Sequence, residues 1–99
     1  MGKRKVIIPE SVVQSIAAIA WYIESKGLIA TAEKFSDRAY DFIDHLSDDR
    51  VVHALCKEPV RNLQGQKCKT FNKKYTVVFF ETDNELVICE FIPSKLIVW

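Results

Sequence analysis

YTVVFFETDNELVICEFI, residues 75–92, decides the fold. Tyr75, Thr76, Val77, Val78, Phe79 and Phe80 suit a pleated, half-buried surface, so 75–81 is predicted as a strand. Thr82, Asp83, Asn84 and Glu85 carry turn chemistry, and 86–92 returns as the partner strand. Just upstream, 66–72 alternates as a third strand, with Asn72, Lys73 and Lys74 as the turn between. These three form an antiparallel meander. A short β-branched run, 5–8, stops at Pro9, which has no amide to donate to a ladder. It is predicted as a further strand, joining at an edge or beside the last one.

Two amphipathic helices fill the first half. Val12, Val13, Ile16, Ile19, Ala20 and Ile23 recur at helical spacing. Ser11 is placed to cap that helix with its hydroxyl, and Gly27 follows its end. Phe35, Ala39, Phe42, Ile43 and Leu46 form the stripe of a second helix starting at Ala30 or Thr31, with Lys34, Asp37, Arg38 and Asp41 off that stripe. The short connection 26–30 makes the pair an antiparallel hairpin. Trp21 and Tyr22 are expected to pack at its edge or tip. Residues 47–66 follow no period: 51–56 fits one helical turn or an irregular segment, and Pro59 and Gly65 punctuate the rest. Together these elements predict one α+β domain over 1–99. It has two layers, an antiparallel sheet of about four strands packed by an N-terminal helix hairpin.

At 99 residues, 48% apolar and 27% charged, the composition is that of an ordinary globular domain. No run reaches the roughly 20 apolar residues of a membrane span, so no membrane partner is expected. Net charge is +1, so any polyanion reading rests on where the charge sits. Residues 1–50 are balanced, whereas 57–74 hold Lys57, Arg61, Lys67, Lys69, Lys73 and Lys74 against Glu58 alone. Such a run serves either as a solvated edge that blocks aggregation or as an anion-binding surface. Cys56, Cys68 and Cys89 are odd in number and widely spaced, and no secretory-type apolar run precedes Pro9. Reduced thiols in a cytoplasmic protein are therefore expected.

Most catalytic signatures are missing. Gly2, Gly27 and Gly65 cannot form a phosphate-binding loop, and His45 and His53 lack the spacing of a zinc motif. No cofactor and no metal site is expected, and no residue is assigned a catalytic role. A Cys56–His53 pair has no visible orienting partner. What remains is a cationic set on and before the sheet: Arg61, Lys67, Lys69 and Lys95, with Tyr75 as a stacking ring or hydroxyl. Lys67 and Lys69, two apart on a strand, share a face. Such cations suit phosphate oxygens or acidic side chains.

Three segments together resemble the RelE/ParE superfamily of toxins from type II toxin–antitoxin, plasmid-stabilisation modules. They are VIIPESVVQSIAAIAWYIESKG (6–27), AEKFSDRAYDFIDHL (32–46) and KCKTFNKKYTVVFFETDNELVICEFIPSK (67–95). The resemblance implies a strand leading into a helix hairpin, then a Tyr75-Val77-Phe79 strand with an apolar hairpin partner. It implies a toxin neutralised by a cognate antitoxin and acting on an intracellular target, either mRNA on the ribosome or DNA gyrase. It also admits a homo-oligomer. Arg61, Lys69 and Lys95 carry over as phosphate-binding cations. Pro93, Ser94 and Lys95 stand where the family often has His and Arg, and Thr76 stands where an Arg usually follows the tyrosine. One alternative is a ribosome-dependent endoribonuclease with lysines replacing arginines. Another is a non-toxic binding module that kept the fold. The apolar end, residues 95–99, either packs on the sheet or anchors a partner.

Overall fold

The computed structural model describes residues 4–48 and 53–96. Its elements are β1 (Lys5–Ile7), α1 (Glu10–Ser25), α2 (Ile29–Leu46), α3 (Pro59–Leu63), β2 (Lys67–Phe71), β3 (Tyr75–Glu81) and β4 (Glu85–Pro93). A 3-10 turn over Ser94–Leu96 follows. The sheet runs β1-β4-β3-β2. This is the two-layer α+β fold expected from the hydrophobic pattern, with β1 at an edge and beside β4. The sheet is mixed rather than wholly antiparallel, because β1 lies parallel to β4, with Lys5 opposite Glu85 and Ile7 opposite Val87. A parallel neighbour needs a long crossover, which the helix hairpin and the rest of the sheet supply.

Helix α1 begins earlier than the Ser11 cap would place it. Pro9 is the N-cap, and its carbonyl accepts the amides of Val12 and Val13 at 3.0 and 3.2 Å. Ser11 lies inside the helix, where its own carbonyl accepts the Ser15 hydroxyl. Gly27 ends the helix at φ +82, its amide donating to Glu24 O at 2.8 Å. That left-handed conformation is one glycine adopts without a Cβ clash.

The core lies between hairpin and sheet. Val12 and Ile16 of α1 and Phe35, Ala39, Ile43 and Leu46 of α2 meet Phe71, Val77, Phe79, Leu86, Ile88 and Phe91. Phe35 organises one end, with its ring edge-on to Tyr75, Phe71 and Phe91 at 5.4, 6.0 and 6.1 Å. Trp21 and Tyr22 do not pack as expected and stay 70% and 59% exposed. Trp21 is two residues from both Ile19 and Ile23, about 200° around the helix from the face those residues turn inward.

Part of the other face of the sheet is covered by residues 56–63, which follow no period, through Cys56 on Val78 and Arg61 on Glu90. Glu58 caps α3 by accepting the Arg61 amide at 2.8 Å, Pro59 fits the first turn, and Gly65 closes the helix at φ +74. Leu55 bridges Lys67, and the Cys56 amide donates to Gln66 O at 2.9 Å, so this segment shields part of the β2 edge. Cys56 and Cys68 form a disulfide, which corrects the expectation of three reduced thiols and removes the support that expectation gave to a cytoplasmic location. The odd count concealed a pair, and Cys89 is the thiol left over. Cys89 is the unopposed residue of a β-bulge, since Val78 pairs with Glu90 and Phe79 with Ile88. Cys56 and Val78 form a small second core there, flanked by Cys68, Cys89 and Ile92. Of the apolar tail, Leu96 is exposed, and 97–99 fall outside the described residues.

Candidate anion-binding site

At the β2–β3 end of the sheet, Phe71 pairs with Tyr75 across a three-residue turn. Asn72 and Lys73 both take left-handed backbone there, at φ 55 and φ 63. Asn tolerates that conformation, but for a lysine it costs about 1 kcal/mol or more. The Ser94 amide donates to Lys74 O at 2.8 Å, and Thr76 and Ser94 share a hydroxyl–hydroxyl hydrogen bond of 2.8 Å. These bonds fix the 3-10 turn, and with it Lys95, beside the hairpin tip. Lys73, Lys74, Tyr75, Pro93, Ser94 and Lys95 line a cleft of about 380 Å³.

Lys74 and Tyr75 also line a second cleft, of about 440 Å³, running up to the helix hairpin. Its far wall carries Lys34 and Arg38 of α2, and its floor includes Tyr22, Leu28 and Phe35. Tyr75 divides the two clefts. Its ring is held by stacking on Phe91 at 5.7 Å and by the edge contact with Phe35. Five cations therefore gather around one fixed aromatic ring. Among the described residues, no Asp, Glu or His lines either cleft. Apolar walls strengthen the field of the cations facing them, so the geometry suits anionic groups, with lysines as point charges rather than forks.

The five expected site residues divide into three places. Tyr75 and Lys95 join the clefts. Arg61 lies on the far face of the sheet, where its Nε and Nη2 donate to the two Glu90 oxygens at 3.0 Å and Nη1 donates to Glu58 at 2.9 Å. Lys67 donates to Glu81 at 2.7 Å, and the same carboxylate pairs with Arg4 at 3.1 Å. Lys67, Lys69 and Phe71 share a face of β2 by alternation, and Phe71 is the one of the three buried in the main core. Lys69 is exposed and lines a separate cleft with Lys57 and Cys68. Lys34 and Arg38 were missed, although their spacing of four puts them on one flank of α2 beside Phe35.

The remaining reactive groups are held structurally. His53 is buried, its Nε2 is 3.2 Å from Leu46 O, and its ring meets Phe79 edge-on at 5.2 Å. Burial pushes the Cys89 thiol above its ordinary value, with Glu90 adding to the effect and a hydrogen bond to Gln66 opposing it. Among the described residues, no group of three or more His, Cys, Asp or Glu could hold a metal ion. No helix among them is long and apolar enough to cross a membrane. No protein-family model matches the chain, and no curated protein matches it.

Proposed function

We propose that this chain is a RelE/ParE-like toxin component, cytoplasmic, neutralised by a cognate antitoxin, which grips a polyanionic target through the paired clefts around Tyr75. The observation that carries this reading is the gathering of Lys34, Arg38, Lys73, Lys74 and Lys95 around one ring, with no carboxylate among the described residues lining the clefts. The strained Lys73 backbone adds support, since residues held in sparsely populated conformations cluster at functional sites. The fold agrees with what the resemblance implies, a short strand, a helix hairpin and an antiparallel meander. Fold alone does not carry function, so the weight rests on the clefts.

Induced expression of the chain alone in a bacterial host tests the proposal. Growth arrest is expected, relieved by Lys74→Ala combined with Lys95→Ala. Cut transcripts in the arrested culture would make the chain a nuclease, and DNA damage with intact transcripts would make it a gyrase poison. Normal growth with soluble, folded protein counts against the toxin reading and leaves a binding module. In vitro, affinity for single-stranded RNA should fall with salt at a log–log slope of about −0.7 per phosphate neutralised. A flat salt dependence removes the polyanion grip itself.

A further inference from the structure

The third cleft carries a different chemistry. It lies along the β2 edge, has a volume of about 600 Å³, and is lined by Ala54, Leu55, Lys57, Cys68, Lys69 and Thr70. We propose that Cys68 is a thiol–disulfide exchange site for small anionic thiols of the glutathione class, and that exchange there frees residues 54–57 from the sheet edge.

The two sulfurs of the disulfide are unequally placed. Cys56 is 1% exposed and packed on Val78, whereas Cys68 is half-buried and opens onto the cleft. An incoming thiolate therefore meets Cys68. Lys57 and Lys69 are exposed on the cleft walls and no carboxylate among the described residues lines it, so a thiol that carries carboxylates is drawn in and a cationic one is repelled. The remaining thiol, Cys89, cannot take over the bond from Cys68. Cys68 pairs with Val78 and Val78 with Glu90, so β3 lies between the two cysteines. Two strand spacings come to about 10 Å, beyond the Cα separation a disulfide spans. Burial also keeps Cys89 protonated and so a poor nucleophile.

In the exchange, the thiolate sulfur bonds to Cys68 Sγ and the Cys56–Cys68 bond breaks. Cys56 leaves as a thiolate and takes up a proton. A second equivalent of the same thiol releases Cys68 as a thiol and departs as the small-molecule disulfide. What then holds 54–57 to the sheet edge is the Leu55–Lys67 bridge, the Cys56–Gln66 backbone bond and the Asn62 side-chain amide, which donates to Cys56 O at 2.9 Å, while the buried His53 ring stays against Phe79. The Arg61–Glu90 pair keeps α3 on the sheet, so the release is local.

The oxidised full chain should show one titratable thiol under denaturing conditions. It is then incubated with reduced glutathione or with cysteamine, trapped by alkylation and mapped by mass. The first adduct is expected on Cys68, with the newly alkylated thiol on Cys56. Rates corrected for each thiol's own acidity should favour glutathione, and Lys57→Glu with Lys69→Glu should cut that preference about threefold or more. If the adduct turns over too fast to trap, Cys56→Ser with glutathione disulfide should load Cys68 directly, ahead of cystamine. Amides of 54–57 should exchange faster in the adduct while those of β3 keep their protection. Three titratable thiols at the start, an adduct on Cys56 or Cys89, no loading of the Cys56→Ser chain, a preference untouched by the charge reversals, or unchanged amide protection would each overturn the proposal.

Discussion

Arg61 and Lys67 commit their charge inside the molecule, to Glu90, Glu58 and Glu81, whereas Lys73, Lys74 and Lys95 at the other end of β3 meet no carboxylate among the described residues. As sequence, Arg61, Lys67 and Lys95 were site candidates, and Lys73 and Lys74 stood only in the charge run and the hairpin turn. Folding separates them, because Glu81 and Glu90 project from strands that lie beside one group and away from the other. A half-buried cation held by carboxylates contributes to the fold and has little left for a ligand. A cation with none contributes little to stability and is free to act on something outside.

This contrast can be tested by substitution. Phe91→Ala should have the largest effect, about 3–5 kcal/mol in urea unfolding, because its ring supports both the core and the Tyr75 wall. Replacing Cys56 and Cys68 together by Ser should cost about 3 kcal/mol by the loop-entropy rule for a loop of this size, while leaving RNA affinity at the Tyr75 end within about twofold. Arg61→Ala should destabilise by about 1–3 kcal/mol, since Glu58 and Glu90 lose their shared donor, and the salt slope of RNA binding should stay as it was. A changed slope would mean that the committed cations also reach the ligand. Lys73→Gly should stabilise by about 0.5–1 kcal/mol, the relieved left-handed strain exceeding the entropy glycine adds to the unfolded chain. It should weaken RNA binding at the same time. Lys74→Ala should move stability by no more than about 0.5 kcal/mol and reduce the salt slope by about 0.7. If Lys74→Ala proves as destabilising as Arg61→Ala, the contrast between the two ends fails.

Much of the fold was legible because it is written in local periods. The stripe from Val12 to Ile23, the stripe from Phe35 to Leu46 and the strand at 75–81 each announce themselves within one window of sequence. The turn at 72–74 was legible for the same reason, although its left-handed lysine was not. What the sequence hid depends on distant closures. Cys56 and Cys68 sit on an unperiodic segment and an edge strand, and their bond forms because Leu55 and Cys56 fold back along β2. Arg61 finds Glu90 only once α3 lies across the sheet. Lys34 and Arg38 looked like solvent-facing helix residues, and only the packing of α2 against the hairpin tip brings them to Lys74 and Tyr75. Of the expected site, Tyr75 and Lys95 belong to the paired clefts, while Arg61, Lys67 and Lys69 lie elsewhere.

The parallel pairing of β1 with β4 has a consequence for how the chain is made. Lys5, Val6 and Ile7 find their ladder partners in Glu85, Leu86 and Val87. During synthesis the first strand therefore leaves the ribosome long before its neighbour exists. The helix hairpin emerges next, with Val12, Ile16 and Phe35 lacking the sheet that later buries them. Contacts so distant in sequence are slow to close. The nascent chain thus exposes an apolar hairpin until β3 and β4 have emerged, and during that interval a chaperone, or any chain offering a complementary strand, has its best access to it.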